Sequence, residues 1–194
     1  MAIRLTLMDI LRTDPYGQSE WSDYGWARLL ERLAQPYSTP DLSLEVGVGD
    51  ILMACGYEDA RCWLDAVPDM RNRVRLVLPA VLRVLPYTDD DRVHRASEIV
   101  LRWLGGDAAN LDAAVQLAAA AAQAARAAAM QDATASVAAA AAEAMQAVAC
   151  CAAARAAAKA IEASSALGPL SPERLLQVRD WMRLSPALHR DLIL

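Results

Sequence analysis

Lysine occurs once, at Lys159, and histidine twice, at His94 and His189. Arginine therefore supplies nearly every cation. With a formal net charge of -5, the chain lacks the clustered positive charge that phosphate binding through counterion release requires, so direct nucleic-acid binding is not expected. Metal chemistry has equally little to draw on. Cys55 and Cys62 are spaced too widely for a zinc knuckle, Cys150 and Cys151 are adjacent, and neither histidine is near another ligand in sequence. Buried, reduced thiols are the expectation. No P-loop, GxGxxG, GxSxG, HExxH or zinc-deaminase signature occurs, and Gly47-Val48-Gly49 is a weak anion signal. Neither a cofactor nor a metal is expected, and the protein does not read as an enzyme.

A long apolar run is missing too. The opening MAIRLTLMDILRT carries Arg4, Asp9 and Arg12 and has no secretory h-region, so a cytoplasmic protein in a bacterial cell is expected. The alanine-rich region is interrupted by Gln123, Arg126, Asp132, Glu143, Arg155 and Lys159, which argues against a membrane span.

What remains is helix. No segment alternates convincingly with period two, and the fold class expected is all-α, a helical bundle with long alanine-rich antiparallel helices. Short helices are expected around Leu5 to Leu11, from Trp21 to Ala34 and from Gly49 to Cys55, the last stopped by Gly56 as a left-handed cap. Another begins at Asp59 and closes before Pro68. An amphipathic helix follows from Met70, with a kink or break at Pro79. Thr88 with Asp89, Asp90 and Asp91 marks a helix start, and Gly105-Gly106 its end. His94 could pair with Asp90 or Asp91 one turn away.

Neither glycine nor proline occurs between Asp107 and Ala166, and alanine makes up more than half of 113–163. Alanine loses no side-chain entropy on entering a helix. Two long helices are expected, turning near Met130-Gln131-Asp132, with one uninterrupted helix as the alternative. Their small side chains let backbones approach to the lower end of the helix-packing range, near 8 Å. Val115, Met130, Val137, Met145, Val148 and Ile161 act as sparse knobs. Ser171-Pro172-Glu173 starts a helix through Leu175, Val178, Trp181 and Met182, and Ser185-Pro186 a final short one whose apolar end should dock. Residues 1–110 are expected to form a part of short helices and 111–194 an alanine-rich hairpin with C-terminal helices, together one folding unit.

Charge is unevenly placed. Asp41, Glu45, Asp50, Glu58, Asp59, Asp65 and Asp69 are opposed by Arg61 alone within their span, whereas arginines cluster at 71, 73, 75 and 83. The acidic span, with Tyr57 and Trp63 as aromatic anchors, is the candidate partner-binding face.

The run YTDDDRVHRASEIVLRWLGGDAANLDAAVQLAAAAAQAARAAA, Tyr87 to Ala129, resembles the Imm5-like family of immunity proteins, found in bacterial toxin systems and phages. Asp90-Asp91-Arg92, Ala96, Trp103 and Gly105 carry the likeness, and Val48-Gly49-Asp50-Ile51-Leu52 looks like the family's opening helix. The resemblance implies a mobile-element protein that binds another protein. The leading expectation is a non-enzymatic, stoichiometric inhibitor of a host defence nucleoprotein complex, of the anti-CRISPR kind. The alternatives are an immunity protein that neutralises a cognate toxin, or a phage structural protein forming a homo-oligomer through its alanine helices.

Overall fold

The computed structural model describes residues 3–13, 20–129, 133–165 and 172–184. Within them the protein is all-α, with ten α-helices. The chain groups into two compact units, Met1–Asn72 with Val178–Leu194, and Arg73–Gln177. The composition boundary at 110 lies inside the second.

The first unit holds α1 (Leu7–Thr13), α2 (Glu20–Arg32), α3 (Val48–Cys55), α4 (Tyr57–Cys62) and a 3₁₀ turn at Trp63–Ala66. It contains one feature that an all-helical reading did not foresee. Leu5–Thr6 (β1) pairs antiparallel with Glu45–Val46 (β2), Leu5 against Val46 and Thr6 against Glu45. Two residues per strand make a clasp rather than a sheet. It puts Leu5 and Val46 into the core and Glu45 outside. The clasp leads directly into a capping box: the Thr6 N–H and hydroxyl donate to Asp9 Oδ2 at 2.9 and 2.7 Å, and the Asp9 N–H donates back to Thr6 Oγ1 at 3.1 Å. The next two amides of α1 donate to the carbonyls of Leu44 and Leu42, so its exposed N–H groups are satisfied by the 41–44 loop.

Helix α2 ends in a Schellman motif, with Gln35 N–H on the Leu30 carbonyl, Ala34 N–H on Glu31, and Ala34 at φ 52°. Gly56 does follow α3, but at φ 92° and ψ 179° it is extended rather than left-handed helical, a region open almost solely to glycine. The helix expected from Asp59 starts earlier, at Tyr57, and its second half tightens into the 3₁₀ turn.

The second unit is built from α5 (Met70–Val84, from Arg73 on), α6 (Asp91–Leu104), α7 (Leu111–Ala129), α8 (Ala133–Ala149), α9 (Ala153–Ser165) and the first turns of α10 (Glu173–Leu184). Of the kink or break expected at Pro79, the break does not occur. Helix α5 runs through it, because Val77, Leu78, Ala80 and Val81 on either side are buried and their packing outweighs the lost backbone bond. The N-cap of α6 is Asp90, which accepts from Arg92 N–H at 2.9 Å, while Thr88 Oγ1 accepts from Asp90 N–H one step earlier. At its other end Gly106, at φ 102°, closes a Schellman motif with Asp107 N–H on Arg102 and Gly106 N–H on Trp103.

The alanine-rich region makes three helices, not two. The first connection, at Met130 to Asp132, lies outside the described residues. The second was not foreseen. Ala152 N–H donates to the Ala147 carbonyl and Cys151 N–H to Val148, a third Schellman motif with Cys151 at φ 57° where glycine is usual. Consecutive helices α6 to α9 pack on one another. At the centre Ala141, Ala160 and Ala163 are fully buried beside Ala80, Val84 and Ala140, with Tyr87 and Val137 against the edge. Ser171 and the final segment from Ser185, including Asp191 to Leu194, lie outside the described residues.

Candidate interaction face

All nine residues of the candidate face belong to the first unit, but the structure divides them by role. Asp41, Glu45 and Asp69 are exposed and Asp65 is half-buried in the 3₁₀ turn. Asp50, Tyr57, Asp59 and Trp63 are buried. Glu58 lies in α4, and its side chain is outside the described residues.

Each buried member has a structural task. Asp50 Oδ2 accepts the Gly47 N–H at 3.0 Å, so the amide just ahead of α3 is answered by the chain's own carboxylate. Asp59 Oδ2 lies 3.0 Å from where a side chain on Gly25 would begin, and the tip of Trp63 lies 3.8 Å from it. Glycine in the middle of α2 is thus what lets α4 come close. Tyr57 stacks on Trp181 with ring centroids 5.1 Å apart and planes within 8°. Tyr57 and Trp63 are therefore core aromatics, 6% and 3% exposed, and they do not serve as surface anchors. A small unit of short helices needs their bulk inside, and that demand wins.

The exposed carboxylates are held too, in ways that leave them at the surface. Asp41 Oδ1 accepts the Ser43 N–H at 3.0 Å and hydroxyl at 2.6 Å, and these bonds hold its pKa below the usual carboxylate value. Glu45 accepts from Arg4 at 2.6 Å, an exposed pair. Asp69 Oδ1 accepts the Arg71 N–H at 2.9 Å, the N-cap geometry at the start of α5.

The groups that might carry chemistry are similarly occupied. The Cys55 thiol donates to the Gly25 carbonyl at 3.1 Å, and its pKa is pushed up to about 12, by burial first and by the Asp59 charge second, against the pull of Arg28. Such a thiol is not a nucleophile near neutral pH. His94 Nε2 lies 3.1 Å from the Thr88 carbonyl, an arrangement that calls for the Nε2–H tautomer, rather than bonding to Asp90. Asp90 is taken by Arg92, whose Nη2 is 2.6 Å away. Its pKa is lowered, first by the Arg92 hydrogen bond. Among the described residues no three His, Cys, Asp or Glu side chains gather as a metal ion would need.

The most concentrated charge lies at a position that the sequence, by grouping Glu143 with Asp132, Ser136 and Gln146, places on a solvated stripe; Glu143 is buried instead, because two cations from neighbouring helices pair with it. Glu143 on α8 has a side chain only 7% exposed and takes Arg126 of α7 at 2.5 Å and Lys159 of α9 at 2.8 Å; Lys159 also reaches Glu162 at 2.6 Å. One carboxylate ties three alanine helices together. A signal existed: Glu143 is the sole acid between Asp132 and Glu162.

No family model matches the chain, and no curated protein or solved structure matches it. No described helix is long and apolar enough to cross a membrane.

Proposed function

We propose that the protein works by stoichiometric binding to another protein, as a non-enzymatic inhibitor of a host defence complex carried by a phage or mobile element. The observation that carries this reading is the set of carboxylates Asp41, Glu45 and Asp69, exposed on a unit whose buried acids and aromatics are committed to its own packing. Exposed carboxylates steer a basic partner into register and quicken encounter, and they discourage nucleic acid. The partner so selected is a basic protein surface, such as the nucleic-acid groove of a nucleoprotein complex. The likeness of Tyr87 to Ala129 to immunity proteins of toxin systems and phages supports the setting.

Asparagine at 41 and 69 with glutamine at 45 removes the charge yet keeps an oxygen able to accept the bonds that all three receive. The triple variant should melt within a few degrees of the parent and associate with the target about tenfold more slowly at low salt. The target is first captured from host lysate and identified by mass spectrometry, then measured by surface plasmon resonance. Association rates equal to the parent's at low salt would remove the acidic face from the reading.

A further inference from the structure

Helix α8 has no outer side. From Ala139 to Ala149 every residue is buried except Gln146, which is half-buried. Four consecutive residues of an α-helix sample its whole circumference, so this stretch is enclosed all round. Positions 138 to 142 are all alanine, and the buried residues that the neighbouring helices offer are alanine too: Ala114, Ala118, Ala121 and Ala122 on α7, and Ala156 and Ala160 among those on α9. An amphipathic helix resists rotation about its axis because a wrong setting would expose its apolar face. Here that penalty is missing. Turned by one residue, about 100°, this part of α8 presents a methyl group wherever it presented one before. Met145 and Val148 are its larger buried side chains, and methionine adapts its shape to the space it meets.

The single charge of α8 behaves differently. Glu143 Oε1 takes Arg126 of α7, whereas Oε2 takes Lys159 of α9 at 2.8 Å. Lys159 is held in turn by Glu162 at 2.6 Å, so it does not follow freely. Neighbours on two sides thus claim different oxygens, and both bonds are made in one rotational setting. On a helix about 10 Å across, a 100° turn carries a side-chain tip about 8 Å. That motion would leave a carboxylate buried away from both cations, which is strongly unfavourable. Against apolar residues of similar volume, by contrast, a buried ion network adds little stability or none. Its effect is to penalise the wrong settings.

We propose that Glu143 is the rotational key of α8: its two oxygens, each claimed by a different helix, hold in one setting a helix whose alanine surface does not choose one.

The test uses the full chain with methyl-labelled methionine, read by NMR. Met145 is fully buried in α8 and reports its surroundings, and Met8 in α1 is the control. The Met145 signal is identified by its loss in Met145→Leu. Leucine placed at 126, 143 and 159 together removes the charges and keeps apolar volume. This triple variant should melt within a few degrees of the parent or above it, yet its Met145 signal should split or broaden while Met8 stays single. The exchange Arg126→Lys with Lys159→Arg keeps a cation on each side and should leave one sharp Met145 signal. Four results overturn the proposal. A folded triple variant with one sharp Met145 signal at the parent's position would show that packing alone sets the rotation. A triple variant that melts far below the parent, or does not fold, would make the network a source of stability instead. Splitting of Met8 as well would mean general loosening, and splitting in the exchange variant would mean that the signal does not follow the charges.

Discussion

Replacing Trp181 by alanine is expected to destabilise the protein by about 3–5 kcal/mol, the range for deleting a buried tryptophan. Trp181 is fully buried and stacked on Tyr57. It belongs to the C-terminal stretch that completes the first unit, where the Leu184 carbonyl also accepts the Ile3 N–H at 2.9 Å. The unit thus closes with residues from both ends of the chain. Short helices without a long packed partner have little stability of their own, so the tryptophan acts as the post they lean on. Tyr57→Leu should cost less, because it forfeits the ring stacking of about 0.5–1.5 kcal/mol and part of the buried area. Urea denaturation followed by circular dichroism gives both values. A loss below about 1 kcal/mol for Trp181→Ala would show that the ring is not a structural centre.

The second large effect is asymmetric. Glu143 is buried, whereas Lys159 and Arg126 have side chains 26% and 54% exposed. Removing both cations strands a carboxylate, so Arg126→Met with Lys159→Met should cost about 3–5 kcal/mol. Glu143→Gln should cost less, about 1–2 kcal/mol, since Lys159 keeps Glu162 and Arg126 reaches water. The reverse order would contradict the assignment of Glu143 as the buried partner. The same group fixes an acid limit. Burial raises the Glu143 pKa, but hydrogen bonds from Lys159 and Arg126, and their charges, bring it below the ordinary 4.5. A carboxyl lowered by folding adds stability that is complete above pH 4.5 and is lost as pH falls through the folded value. Lys159 gives the mirror image: burial lowers its pKa, the bonds to Glu143 and Glu162 raise it above 10.5 overall, and its contribution fades as pH climbs past that folded value. The Glu143→Gln variant should therefore lose less stability than the parent between pH 5 and pH 3.

Helix positions were legible because local signals agreed with the tertiary demand. Gly105-Gly106 stopped α6 where a left-handed residue was needed, and the apolar spacing of Val93, Ala96 and Val100 fixed its buried side. Pro79 does not break α5 because propensity is weaker than packing on both sides of it. The break at Cys150 to Ala152 was invisible because Cys151 does what sequence rules assign to glycine. The β1–β2 clasp is too short to establish a period. For the interaction face, charge could be counted in the sequence but exposure could not. Of nine residues marked, Asp50, Tyr57, Asp59 and Trp63 proved to be internal, because an acid that caps or an aromatic that fills reads the same as one that binds. The helix of Leu175, Val178, Trp181 and Met182 was seen, but its inward and outward sides were not, since apolar residues lie on both.

The alanine helices form a body whose shape depends on side chains being small, and that is tested most directly by enlarging them. Ala141 and Ala160 are fully buried in the alanine cluster, whereas Ala127 on α7 is exposed. Leucine at 141 or 160 should cost at least about 1–3 kcal/mol, because the facing surface is another helix rather than a yielding side chain. Leucine at 127 should change stability by no more than about 0.5 kcal/mol. Urea unfolding of the three variants side by side gives the comparison. Equal tolerance at all three positions would mean that the helices are not in close contact and that alanine is there for helix propensity alone.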